Sequence, residues 1–203
     1  VRLAIVNTRC ANLASVKYAF ERLGETPVVT ANSEQLKNAE RVVLPGVGTA
    51  SEAMNALQEL ELIGTLKGLT QPVLGICLGM QILTELSYET KRKDSRTTIP
   101  CLNVIPAEVQ KLANLDKLPL PHMGWNKTEV TSHPLFNGLQ DPYFYYVHSF
   151  AVPETGNTIA SCEYGQKFSA AIAKNNFMGV QFHPERSGPA GSVVLKNFME
   201  FPC

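Results

Sequence analysis

Cys77 stands between two glycines, in the run Gly75-Ile76-Cys77-Leu78-Gly79. This is the form of the nucleophile elbow Gly-x-Ser-x-Gly, with sulfur in place of the hydroxyl. A sharp strand-to-helix turn forces such a nucleophile into strained backbone angles and lifts its side chain above the sheet. Bulky residues two positions before and after would collide, which accounts for both glycines. A helix that starts directly afterwards turns its positive end and free N–H groups towards the sulfur. Those groups favour thiolate over thiol, and the N–H of Leu78 is placed to hold an oxyanion. The plainer reading is a small apolar cysteine buried in a tight strand. The apolar run "PVLGIC" before the thiol and the helix-like "LGMQ" after it favour the elbow.

A thiolate nucleophile needs a base, and the chain carries His122, His133, His148 and His183. His133 precedes Pro134 in a polar turn and reads as a surface residue. His122 and His148 have aromatic neighbours and read as packing or binding residues. His183 closes an apolar run in "GVQFHPERSG", with Glu185 two residues further on. In an extended segment i and i+2 face the same side. Glu185 can then hold one imidazole nitrogen and leave the other for Cys77, a Cys-His-Glu triad with the nucleophile first in chain order. The alternative is a half-exposed loop with an incidental ion pair. Zinc deaminases also carry His-x-Glu, but the Pro-Cys-x-x-Cys that must follow is missing. The loop "LPGVGTA" (44–50) fails as a dinucleotide site because Ser51 stands where the third glycine belongs, and no Gly-Lys-Ser/Thr follows. It reads as a plain strand-to-helix turn, or as a loop presenting the Val47 N–H as a second oxyanion donor.

The elements that must position these residues change character along the chain. "RLAIVN" (2–7), "TPVVT" (26–30), "RVVLPG" (41–46) and "PVLGIC" (72–77) are short apolar runs of the kind a parallel sheet buries. Between them, "ANLASVKYAFERLG" (11–24) sets Leu13, Val16, Ala19, Phe20 and Leu23 on one helical face and stops at Gly24. "TASEAMNALQELELIGTLKGL" is a broken helical stretch, and "LGMQILTEL" (78–86) is a helix. The alternation predicts an α/β fold with a parallel sheet and helices on both faces. After about residue 98 come "LNVIPAEVQKL", "WNKTEVT", "YFYYVHSFAV", "TIASCEY", "FSAAIAK" and "NFMGVQF". Short, rich in β-formers and separated by turn residues, they read as antiparallel strands added to the parallel core. "AGSVVLKNFMEF" is a closing helix. With no repeat or linker, 1–203 reads as one domain.

Composition narrows the class. Apolar residues make up 44% of the 203, and 18 basic residues balance 18 acidic ones, which argues against a nucleic-acid or polybasic membrane protein. The opening "VRLAIVNTRCANL" lacks a signal peptide's long apolar run. Cys10, Cys77, Cys101, Cys162 and Cys203 are odd in number, widely spaced and without CxxC. They suit neither a disulfide framework nor a zinc site, and the expectation is a cytoplasmic protein with free thiols.

Together "PGVG", "GICLGMQ" and "VQFHPE", at this spacing, resemble class I (triad) glutamine amidotransferases. "ANLASVK", "PGVGTASEAM", "LPHMGWN", "YFYYVHSF" and "GVQFHPERSG" are similar to the glutaminase subunits of imidazole glycerol phosphate synthases, nearly end to end. The resemblance implies a flavodoxin-like α/β sandwich in which Cys77 attacks glutamine, His183 moves protons and Glu185 orients it. It implies that Gly46, Val47 and Gly48 form an oxyanion strand with Leu78, and that Gln81, Glu89, Ser149 and Phe150 hold the glutamine. It implies no metal or organic cofactor. The implied partner is a (β/α)8-barrel cyclase subunit that consumes the ammonia in histidine biosynthesis, with Asn12, Met123, Trp125, Tyr145 and Arg186 at or near the interface. On its residues alone, Trp125 reads equally as a core anchor. Arg9 departs from the family's first loop, where glycine is usual. If the Val47 N–H must rotate into place, the isolated subunit is expected to be nearly inactive until partner and cyclase substrate bind. Competing readings are an amidotransferase serving anthranilate, aminodeoxychorismate or pyridoxal phosphate synthesis, a degenerate binding module, and a cysteine protease or isomerase on the same fold.

Overall fold

Alternate residues of the first strand, β1 (Leu3–Val6), enter different cores: Leu3 and Ile5 pack on one side of the sheet, Ala4 and Val6 on the other. The same division runs through β3 (Arg41–Gly46) and β4 (Val73–Cys77), where Val43, Leu74 and Ile76 face one core and Val42, Leu44 and Val73 the other. A strand buried on both faces must be apolar throughout, which is why these segments read as continuous runs. The computed structural model of the chain describes residues 2–9, 12–89, 97–113 and 118–202.

Helices α1 (Leu13–Glu21) and α6 (Gly188–Glu200) cover the first core with Val16, Phe20, Val194, Leu195 and Phe198. The second is covered by α2 (Ser33–Lys37), α3 (Ala50–Glu59), α4 (Ile63–Lys67) and α5 (Leu78–Ile82), through Leu36, Leu57, Leu66 and Ile82. With β2 (Val28–Thr30), strands β2, β1, β3 and β4 are parallel, as the alternation predicts. The break expected within 49–69 falls between α3 and α4. A capping box opens α3: the Thr49 hydroxyl accepts from the Glu52 N–H, and Glu52 reaches back to the Thr49 N–H.

Four segments behave differently from the reading above. β13 (Phe177–Val180) is not an added antiparallel strand. It pairs in parallel with β4 and antiparallel with β12 (Lys167–Lys174), so it joins the two halves of the sheet. Beyond it lie β11 (Thr158–Glu163), β8 (His122–Val130) and β9 (Tyr143–His148), all antiparallel. Among the described residues this gives a nine-stranded sheet in the order β2-β1-β3-β4-β13-β12-β11-β8-β9. The expected helix 78–86 stops at Ile82 because the next carbonyls are taken: Ile82 O accepts from the Leu102 N–H and Leu83 O from those of Val104 and Ile105. The chain goes instead into β5 (Leu86–Ser87), part of a second, four-stranded sheet with β6 (Ile99–Pro100), β7 (Glu108–Lys111) and β10 (Phe150–Ala151). "LNVIPAEVQKL" is strand only over β7. "YFYYVHSFAV" is divided at Ser149, where the chain leaves the large sheet for the small one.

Candidate active site

Cys77 is the last residue of β4 and the residue on which α5 starts, with φ 54° and ψ −110°. A left-handed φ costs an L-residue about 1–3 kcal/mol, so the surrounding packing holds it there. The glycines supply that packing. A Cβ on Gly79 would lie 1.8 Å from the Leu44 carbonyl oxygen, and one on Gly75 would lie 2.6 Å from that of Gly79. The helix is thereby pressed onto β3 and β4 closer than any side chain permits, and the thiol stands up at the strand ends. In register, Gly46 is the partner of Cys77, so the Gly46–Gly48 loop leaves the sheet beside the nucleophile.

The parallel pairing of β13 with β4 delivers the base. Val180 is opposite Ile76, and the chain runs on through Gln181 to His183 at the same sheet edge. The His183 N–H donates to Tyr145 O, and the Ser187 hydroxyl donates to His183 O while accepting from the Tyr145 N–H. His183 Nδ1 lies 2.8 Å from Glu185 Oε1, as the two-residue spacing predicts. This leaves Nε2 for the sulfur. Burial pulls the imidazole pKa down, but hydrogen bonds with Cys77 and Glu185, with their charges, outweigh it and raise the pKa to about 10. An imidazolium is the partner a thiolate needs. The sulfur also touches Val147 O at 3.8 Å and Gln181 Nε2 at 3.7 Å.

A cavity of about 260 Å³ opens over the thiol, lined among others by Val47, Gly48, Leu78, Gln81, Glu89, Ser149 and Phe150. All of the expected glutamine-side residues thus meet in one place. Burial, against a bond from the Ala50 N–H and with Glu52 nearby, raises the Glu89 carboxyl above its ordinary range. Several polar atoms here are already committed to the fold. Gln81 Nε2 donates to both Phe150 O and Gln181 Oε1, His148 Nδ1 also donates to Phe150 O, and Ser149 O accepts from the Leu112 N–H. Gln81 Oε1 is therefore the amide atom left to face a ligand.

A second cavity, about 80 Å³, lies on the other side of the base, lined by Asn12, Pro45, Val47, His183, Glu185 and Arg186. Of the expected interface residues, Asn12 and Arg186 line it. Asn12 caps α1, and Met123 and Trp125 alternate on one face of β8, 62% and 55% exposed. Trp125 is therefore no core anchor. It meets the Tyr145 ring at 6.1 Å, and the Arg186 guanidinium lies 5.9 Å from the centre of that ring. Arg9 takes the left-handed conformation (φ 61°) that a glycine would adopt freely.

The other histidines and cysteines separate clearly from these. His133 is half-buried rather than on the surface: its Nδ1 caps the Leu135 N–H, and its ring stacks on Phe201. His122 and His148 are buried, bonded to each other at 2.9 Å. Burial pushes the Cys101 thiol up to about 12 and the Cys162 thiol up to about 11, as befits apolar fillers. Cys10 and Cys203 lie outside the described residues. Sequence reasoning missed Gln181 and Ser187. The signal for Gln181 was present, since it stands two residues before His183 as Glu185 stands two after.

Over residues 5–201 the chain matches the family model "Glutamine amidotransferase class-I". It is 55% identical over 196 residues to the imidazole glycerol phosphate synthase subunit HisH of Shewanella sediminis (strain HAW-EB3), covering 96% of this chain and 88% of that protein. To the subunit of the same name in Vibrio cholerae (serotype O1, strain ATCC 39315 / El Tor Inaba N16961) it is 52% identical over 200 residues, covering 98% of each. A solved structure of a glutamine amidotransferase superposes with a TM-score of 0.72 at 17% identity, covering 97% of both chains. That last likeness speaks to the fold alone.

Proposed function

The chain belongs to the class-I glutamine amidotransferase family, and from that premise we propose that it is a single-domain, cytoplasmic glutaminase subunit working through Cys77, His183 and Glu185. The Cys77 sulfur attacks the side-chain amide carbon of L-glutamine. The N–H groups of Leu78 and Val47 hold the oxyanion, and His183 gives its Nε2 proton to the departing ammonia. The same imidazole then takes a proton from water, which cleaves the γ-glutamyl thioester to glutamate and frees the thiol. Gln81 and Glu89, with the backbone at Ser149 and Phe150, seat the substrate.

The likeness to imidazole glycerol phosphate synthase subunits supports a (β/α)8-barrel cyclase as partner, receiving ammonia through the face of Asn12, Met123, Trp125, Tyr145 and Arg186. Among the described residues, no helix is long and apolar enough to cross a membrane. One observation carries the reading: an elbow thiol and an imidazole held by a carboxylate at 2.8 Å meet in one cavity with Gln81 and Glu89. Glutamate release is measured with and without the cyclase subunit and its nucleotide substrate. Release should depend on Cys77 and rise on adding both. Persistent release from Cys77→Ala sinks the mechanism, and stimulation by a chorismate-using partner instead sinks the choice of partner.

A further inference from the structure

Two runs of hydrogen bonds meet at the Phe150 carbonyl, one from the outer strands and one from the back of the Cys77 sulfur, and their directions are fixed by atoms that can only accept. The Phe150 carbonyl receives His148 Nδ1 at 2.9 Å, so the proton of that neutral ring is on Nδ1 and its Nε2 is an acceptor. His122 Nδ1, 2.9 Å away, is therefore the donor to His148, and His122 Nε2 accepts in turn. The group facing it at 3.5 Å is the Asn126 amide nitrogen, itself held by donation to Glu163 O at 2.9 Å. Burial keeps both rings neutral, with pKa values of about 4 for His122 and about 3 for His148.

The Phe150 carbonyl also receives Gln81 at 2.9 Å, so the NH2 end of Gln81 must be the end that points there. That same NH2 meets Gln181 at 2.9 Å and requires an acceptor, which places Oε1 of Gln181 towards Gln81. The NH2 of Gln181 then has one direction left, towards the Cys77 sulfur 3.7 Å away. Gln181 is fully buried, and rotating its amide would set two NH2 groups face to face and turn Oε1, an acceptor, against the thiolate.

We propose that Gln181 is a catalytic residue of this glutaminase, donating an N–H to the Cys77 sulfur to hold it as thiolate, with the direction of that donation fixed through Gln81 by the Phe150 carbonyl, an atom that can only accept. The inference rests on the reading of Cys77 as nucleophile. The titratable groups facing the sulfur are His183, with Glu185 behind it, His148 from β9, and Glu89 and Arg186 on the cavity wall.

The test follows the alkylation of Cys77 in the full chain by iodoacetamide across pH, with the Cys77 peptide quantified by mass spectrometry. The midpoint should rise by about one pH unit in Gln181→Met, the low end for a hydrogen bond to a charged acceptor. It should rise further in Gln181→Glu, which turns a like charge on the sulfur. An unchanged midpoint in folded Gln181→Met and Gln181→Glu overturns the catalytic role. Wild-type protein gives a second measurement that needs no folded variant. The side-chain amide resonances of Gln181 should move with the alkylation midpoint of Cys77, and a flat titration curve overturns the proposal. Glutamate release from Cys77→Ala separates the two levels: its loss upholds Cys77 as nucleophile whatever Gln181 does, and its persistence removes the ground for both.

Discussion

Replacing Glu185 by glutamine keeps the shape of the site and removes one charge, and its cost follows from the second carboxylate oxygen. Glu185 Oε1 accepts from His183 Nδ1 at 2.8 Å, while Oε2 is buried without a hydrogen-bond partner among the described residues. In Glu185→Gln, one orientation keeps the oxygen on Nδ1 and puts an NH2 where Oε2 was, leaving a buried donor unpaired at about 1–3 kcal/mol. The flipped orientation avoids this and donates to Nδ1. That forces the imidazole proton onto Nε2, so the ring can no longer take a proton from that side. The oxygen it leaves in place of Oε2 is unpaired too, as Oε2 is in the native carboxylate, so the preference for the flipped form is at most about 10-fold. Losing the carboxylate beside an imidazolium costs a further 1–3 pKa units or so. The expected loss in glutamate release by the partner-bound enzyme is about 1000-fold in kcat, with KM for glutamine little changed. Glu185→Asp, shorter but still charged, should lose less. Activity within about 10-fold of wild type in a folded Glu185→Gln protein would refute the argument, because neither the tautomer nor the charge would then matter.

Gly79→Ala should lower stability by about 3 kcal/mol or more in urea denaturation, or prevent folding, because its Cβ would sit 1.8 Å from Leu44 O. The buried histidines make stability pH-dependent in a definite sense. Their folded pKa values, about 4 and about 3, lie below the unfolded value near 6.5, so their contribution is complete above that pH and is lost as pH falls through this window. Each adds a slope of about 1.4 kcal/mol per pH unit, and His122→Leu should flatten the curve by about that much in urea melts between pH 6 and 4.5. Trp125→Ala, at a residue 55% exposed, should weaken cyclase binding by about 30-fold while leaving the melting temperature within about 2 °C of wild type.

Local patterns in the sequence carried the parallel half and the nearness of Cys77, His183 and Glu185, for a reason visible in the structure. Strands buried on both faces must be apolar, and β3 falls on the residues 41–46 read from that rule. Gly75 and Gly79 mark a contact that tolerates no side chain, so they announce the elbow before any partner is known. What stayed hidden depends on pairings between distant segments. Nothing in "NFMGVQF" says that β13 will run parallel to β4, because a short β-rich run suits either direction. Helix α5 ends at Ile82 because residues 102–105 take its carbonyls, while "LGMQILTEL" by itself prefers to continue. Gln81 reads as a substrate ligand by its place one turn after the thiol. Its NH2 is also committed to Phe150 and Gln181, and only the folded sheet brings those together.

The position of β13 between β4 and β12 also bears on how the protein is made. On a ribosome, the segment with the reactive thiol emerges early, and its sheet stays open along the β4 edge until nearly the whole chain has followed. During that interval the nascent protein exposes an unpaired strand edge and a cysteine without its base, a state prone to misassembly and oxidation. The strand that closes the edge is the one that leads into His183. A chain cut short of β13 therefore lacks both the strand that completes the sheet and His183.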